Sequence, residues 1–152
     1  MKLSEKARES LNVVVEKMKN GELGPIVDIM RFEGGDRPWL HWSTSNKIMS
    51  YMQSGSADCR GYRQWQEVGR HVKKGESAAY ILVPMIGTVE DENGEEREQL
   101  FGFRSQAVFA YDQTEGEPLY DEGELTPPEP PPLSDLAERL GIEVEYIPLP
   151  PD

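Results

Sequence analysis

The sequence predicts an α+β fold, with N-terminal helices packed on a small antiparallel sheet. Three observations lead there. Ala7, Leu11, Val14, Val15 and Met18 recur at the spacing of one helix face. Ala78-Ala79-Tyr80-Ile81-Leu82-Val83 and Gly102 to Tyr111 are apolar runs of strand length. Between them lies Asp91-Glu92-Asn93-Gly94, and Asn-Gly between two such runs signals a hairpin.

Each element follows in order. Ser4 is the N-cap of the first helix, Glu5 and Lys6 open it, and Asn20-Gly21 ends it. Residues 21–44 are punctuated by Gly24-Pro25, Gly34-Gly35 and Arg37-Pro38, leaving Ile26 to Phe32 as a short helical piece. Ser43, Thr44 or Ser45 caps a second main helix carrying Ile48, Met49 and Met52, closed by Gly55. Tyr62 to His71 reads as a third, with Trp65 and Val68 inward, although Gly69 weakens its last turn. Lys73-Lys74-Gly75 is a turn with Gly75 at positive φ. Pro84 marks a sheet edge or a strand end. The hairpin is long, with an acidic, mobile tip. Leu125 to Pro132 holds five prolines in eight residues and reads as an extended linker. Beyond it come a helix from Leu133 to Leu140, capped by Ser134 and stopped by Gly141, and a strand from Ile142 to Ile147. The expected organisation is a domain over 1–120, an acidic Pro-rich linker over 121–132, and a helix-strand extension over 133–152. That extension either docks on the domain or begins a second one.

Composition narrows the function. The chain has 152 residues, a formal net charge of -12 and one cysteine, Cys59, which forms no internal disulfide. A reducing, cytoplasmic setting fits, with no signal peptide and no membrane span. The acidity is uneven. Residues 1–89 hold 13 Lys+Arg against 10 Asp+Glu; residues 90–98 hold six acids against Arg97; residues 112–152 hold twelve acids against Arg139. The acidic tail is therefore a candidate surface for a protein partner, or solvated surface that keeps the chain soluble. His41 and His71 stand thirty residues apart, no HExxH is present, and neither a phosphate loop nor a nucleophile elbow appears. We therefore expect no catalysis, no metal and no cofactor.

One segment stands out. Arg60, Arg63, Arg70, Lys73 and Lys74 face only Glu67 over residues 60–74, and Tyr62 and Trp65 are interleaved with them. Cations suit backbone phosphates, and flat rings suit unpaired bases, so this mixture fits a single nucleic-acid strand. Gln64, Gln66 and Gln113 supply polar contacts to bases or sugars. Plainer readings stand beside these: Trp65 as core, Arg70 paired with Glu67 or Glu76, Lys73-Lys74-Gly75 as an ordinary turn.

The block Gly61-Tyr62-Arg63-Gln64-Trp65-Gln66, then Gly69-Arg70-His71-Val72-Lys73-Lys74-Gly75-Glu76, then Ile81-Leu82-Val83-Pro84, resembles the N-terminal domain of ArdC-type antirestriction proteins. Val108-Phe109-Ala110-Tyr111-Asp112-Gln113-Thr114-Glu115-Gly116-Glu117-Pro118-Leu119 is similar to that family's closing motif, and Trp42-Ser43 with Ser45-Asn46 is a weaker upstream match. The likeness covers roughly residues 4–120. It implies an α+β unit that binds single-stranded DNA without sequence preference, often ahead of a zinc metallopeptidase-like domain that these residues do not contain. By position it implies a DNA surface of Asn46, Tyr62, Arg63, Trp65, Arg70, Lys73, Lys74 and Gln113, to which the residue reading adds Arg60 and Gln66. The alternatives are an acidic DNA mimic that inhibits a nuclease, or the DNA-binding half of a peptidase-like protein.

Overall fold

The computed structural model describes residues 3–32, 35–129 and 133–143. The chain runs α1 (Glu5–Lys19), α2 (Gly24–Arg31), a 3-10 turn (Pro38–His41), α3 (Thr44–Ser54), β1 (Cys59–Arg60), α4 (Tyr62–Glu67) and β2 (Arg70–Val72). It continues with β3 (Ala79–Glu90), β4 (Glu96–Ala110), a 3-10 turn (Tyr111–Gln113), β5 (Thr114–Gly116) and α5 (Leu133–Arg139). One sheet has the order β1-β4-β3 and a smaller one pairs β2 with β5, all antiparallel. The fold is α+β.

The helices start and stop where their caps sit. Ser4 Oγ accepts from Ala7 N at 3.2 Å, and Ser43 Oγ accepts from Asn46 N at 3.2 Å. Gly55 closes α3 in the left-handed region. α1 buries only Ala7 and Val14, while Val15 and Met18 stay about half exposed. The core lies instead under the sheet. Ile29, Trp39, Tyr51, Ala57, Cys59, Ala79, Ile81, Val108 and Ala110 pack together there.

The third predicted helix is shorter than its sequence suggests. It ends at Glu67, and residues 70–72 form β2 instead. Gly69 has φ +77, which reverses the chain direction there. Alternation then buries Arg70 and exposes His71.

The hairpin is longer than predicted in both strands, and β3 runs through Pro84 to Glu90. The outer edge of β3 explains why. Asn46 Nδ2 donates to Leu82 O at 2.9 Å, and Leu82 N donates to Asn46 Oδ1 at 3.1 Å. Gln53 Nε2 donates to Tyr80 O at 2.8 Å, and Tyr80 N donates to Gln53 Oε1 at 2.9 Å. Two amides, two helical turns apart on α3, thus stand in for a missing strand and cover the edge. Tyr80 and Leu82 both turn their backbone outward, so by alternation Pro84 does too. Its missing N–H falls where no strand would pair with it.

The hairpin turn carries Gly94 at φ +79, and Asp91 Oδ1 accepts from Asn93 N and Glu95 N. A bulge interrupts the register between Met85 and Ile86. α5 covers most of the predicted last helix, while most of the predicted strand from Ile142 to Ile147 lies outside the described residues. Among the described residues no helix is long and apolar enough to cross a membrane.

Gln53→Ala removes both bonds to Tyr80, and is expected to destabilise by about 1–2 kcal/mol in urea unfolding. A change below about 0.3 kcal/mol would show that the edge needs no such cover.

Candidate nucleic-acid interface

The basic segment divides into two kinds of cation. Arg60 and Arg70 are buried, at 8% and 7% exposure. Arg60 makes a bidentate pair with Asp58, both bonds at 2.9 Å, and its guanidinium sits 4.9 Å from the Trp65 ring centroid. Burial lowers the pKa of Arg60, and the Asp58 carboxylate outweighs that and raises it. Tyr120 donates a short hydrogen bond to Asp58 Oδ2, the oxygen that also accepts from Arg60 Nη2. Burial, and then this bond, push the Tyr120 hydroxyl up to about 12.

Arg70 pairs with neither Glu67 nor Glu76. Its Nε donates to Thr114 Oγ1 at 2.8 Å, and Nη2 to Thr114 O at 2.9 Å. Its Nη1 donates to Gly116 O at 3.0 Å and Glu117 O at 2.7 Å, while the guanidinium lies 4.2 Å from the Tyr111 ring centroid. Trp65 is fully buried, and its Nε1 donates to Phe109 O at 2.9 Å.

Two polar candidates are equally committed. The Asn46 amide holds the β3 edge. Gln113 Oε1 accepts from Ala110 N at 2.9 Å, and its Nε2 donates to Ser77 O at 2.7 Å and Glu76 Oε2 at 3.1 Å. Lys73 is exposed but donates to Asp112 O at 3.0 Å. The structure therefore corrects the picture of one continuous surface. Arg60, Trp65 and Arg70 turn inward, Asn46 ties α3 to β3, and Gln113 ties the turn after β4 to the segment entering β3.

Tyr62, Arg63, Gln66 and Lys74 remain on the outside, with Tyr62 at 51% exposure. Gln64 Oε1 accepts from Gly61 N at 2.9 Å and anchors the start of α4, so Tyr62 and Arg63 project from its first turn. Together with Ser105, Gln106 and Ala107 of β4 they line a cleft of about 400 Å³. A second cleft, of about 500 Å³, shares Ala107 and adds Tyr80, Phe109, Lys6, Glu9 and Glu76. Register places Tyr80, Ala107, Ser105 and Phe103 on one sheet face, opposite the core face of Ala79, Ile81 and Val108. Sequence reading missed the β4 share of this site. Alternation in β4 carries the signal, but only the strand register says which phase faces out.

Residues 41–109 match the family described as the N-terminal domain of anti-restriction factor ArdC. These residues are similar to an ArdC-type N-terminal domain. The match takes in α3, α4, β2, β3 and nearly all of β4. Among solved structures, the metal-free antirestriction ArdC protein from the R388 plasmid is similar at 21% identity and a TM-score of 0.46. The likeness covers 77% of this chain and 43% of that one. Its Mn(II)-bound form is similar at 22% identity and a TM-score of 0.40, covering 72% and 41%. The chain thus spans less than half of those proteins, and overlaps this loose say nothing about the site. No curated protein matches. Among the described residues no group of three or more His, Cys, Asp or Glu is placed to hold a metal ion.

Arg70→Lys keeps the charge but not the planar fork. It is expected to cost about 2–4 kcal/mol in urea unfolding, against less than about 0.5 for Arg63→Ala. Equal effects would contradict the division into inner and outer cations. The raised Tyr120 pKa carries a sign. Its stabilising contribution is complete below the ordinary tyrosine value of about 10 and is lost as pH rises toward about 12. Alkaline unfolding of Tyr120→Phe should therefore fall less steeply with pH across that window than the parent chain.

Proposed function

We propose that the chain binds single-stranded DNA through the cleft between α4 and β4, without sequence preference and without catalysis of its own. One observation carries this reading. The Arg63 side chain makes no hydrogen bond or ion pair among the described residues, and it stands beside an exposed Tyr62 at the rim of an open cleft. A free guanidinium meets phosphate in bidentate fashion or stacks on a base, and an exposed phenol offers a second stacking face. Gln66 and Lys74, both exposed, would add further contacts. Asn46, Arg60, Trp65, Arg70 and Gln113 serve it by holding α4 and β4 in place. The working unit is residues 1–120, closed by the Tyr120–Asp58 bond.

The matched family is named for countering restriction, and a protein with that task acts where DNA meets an enzyme. We place this chain in the same role. The net charge of -12 favours a second reading, an acidic mimic of DNA. One titration separates the two.

Fluorescence anisotropy with a thymidine oligomer at low salt is expected to show binding. Affinity should fall by about 0.7 log units per phosphate contact for each tenfold rise in salt. Arg63→Ala should weaken binding and flatten that slope by about 0.7, and Tyr62→Ala should cost about 1–3 kcal/mol of affinity. An oligomer left unbound at low salt would reject the DNA reading and leave the mimic.

A further inference from the structure

The outer face of the hairpin leaves large apolar side chains in solvent. Ile86, Leu100 and Phe103 are 59%, 53% and 42% exposed. The edge of β4 away from β3 pairs with β1 only at Phe109 and Ala110, which leaves Glu96 to Val108 without a strand among the described residues. α4 flanks Ser105 to Ala107 across the cleft, and the rest of this edge is open; an open edge beside exposed apolar side chains is a template for another strand.

The alternation that turns Tyr80 and Leu82 outward on β3 fixes which β4 residues face the open edge. On one side of the bulge they are Phe103 and Ser105; on the other they are Leu100 and Glu98. The two halves mirror each other about Phe101-Gly102. Phe103 and Ser105 share the sheet face of Pro84 and Leu82, and Leu100 and Glu98 share that of Ile86 and Thr88, which is the same outer face. One antiparallel register therefore satisfies backbone and side chains together: Leu100 opposite Phe103 of a second copy, and Glu98 opposite its Ser105.

We propose that two copies of this chain pair through their β4 edges in that register, with the two-fold axis at the bulge. Charge supports this occupant. Ser105 lines the same cleft as Arg63, so Glu98 and Glu96 of one copy come to lie beside the unpaired Arg63 of the other. The pairing also brings together two Leu100–Phe103 contacts, flanked by Ile86 and Pro84. A nucleic-acid strand would compete for the same cleft. The dimer is measured with no nucleic acid present, so its test is separate from the DNA reading.

Sedimentation equilibrium is expected to show a monomer–dimer exchange with a micromolar Kd. Leu100→Lys should leave a monomer whose circular dichroism and thermal unfolding match the parent, because the side chain lies outside the core. Glu98→Lys should weaken the dimer about tenfold, and adding Arg63→Glu should restore it. A chain that stays monomeric up to about 500 µM, or a dimer indifferent to Leu100→Lys, would overturn the proposal.

Discussion

A buried guanidinium with no carboxylate beside it must find oxygen elsewhere, and Arg70 finds it in the backbone of residues 114–117. Beside the sheet and its core, this fan fixes the segments that carry the candidate site. It clamps β2 to β5 and presses the guanidinium onto Tyr111. Trp65 reaches from α4 to the carbonyl of Phe109, and Asp58 receives both Arg60 and Tyr120. Two stretches far apart in sequence, around 58–76 and 109–120, are thereby bound into one body. The cost of leaving such groups unmade, about 1–3 kcal/mol each and more for charged groups, is what makes the arrangement stiff.

That stiffness has a consequence for function. Cations spent on the scaffold do not reach a phosphate, so the positive charge of the segment overstates the charge available outside. Arg63 and Lys74 are what the scaffold leaves over. The acids of the hairpin tip sit at the far end of β3 and β4, well along the strands from α4. In the proposed reading Arg63 and Lys74 supply the positive potential that a strand would meet, since binding follows local potential more than net charge.

The α+β class, the caps Ser4 and Ser43, and the Asn93-Gly94 turn were legible because each rests on neighbours in sequence. Gly69 was read as a weak point in a helix, but not as the start of a strand. β2 exists only through its pairing with Thr114–Gly116, and no local pattern announces a partner that distant. Pro84 is compatible with an edge strand from composition alone, but which edge is open depends on where α3 lies. The roles of Asn46 and Gln53 as substitute strand atoms follow from that placement too. The basic segment was legible as unusual, yet its division into inner and outer residues was not, because burial of Arg60 and Arg70 depends on Asp58 and on carbonyls more than forty residues away. The proposed competition between a second copy and DNA at one cleft likewise emerges only from register.

The most direct measurement is a two-dimensional NMR titration of the labelled chain with a thymidine oligomer, resolving each backbone amide. The account predicts that shifts concentrate at Tyr62, Arg63, Gln66 and Ser105 to Ala107, with the amides of Thr114 to Glu117 little changed. Shifts confined to the acidic tip or the segment after Tyr120, with Tyr62 and Arg63 silent, would contradict it.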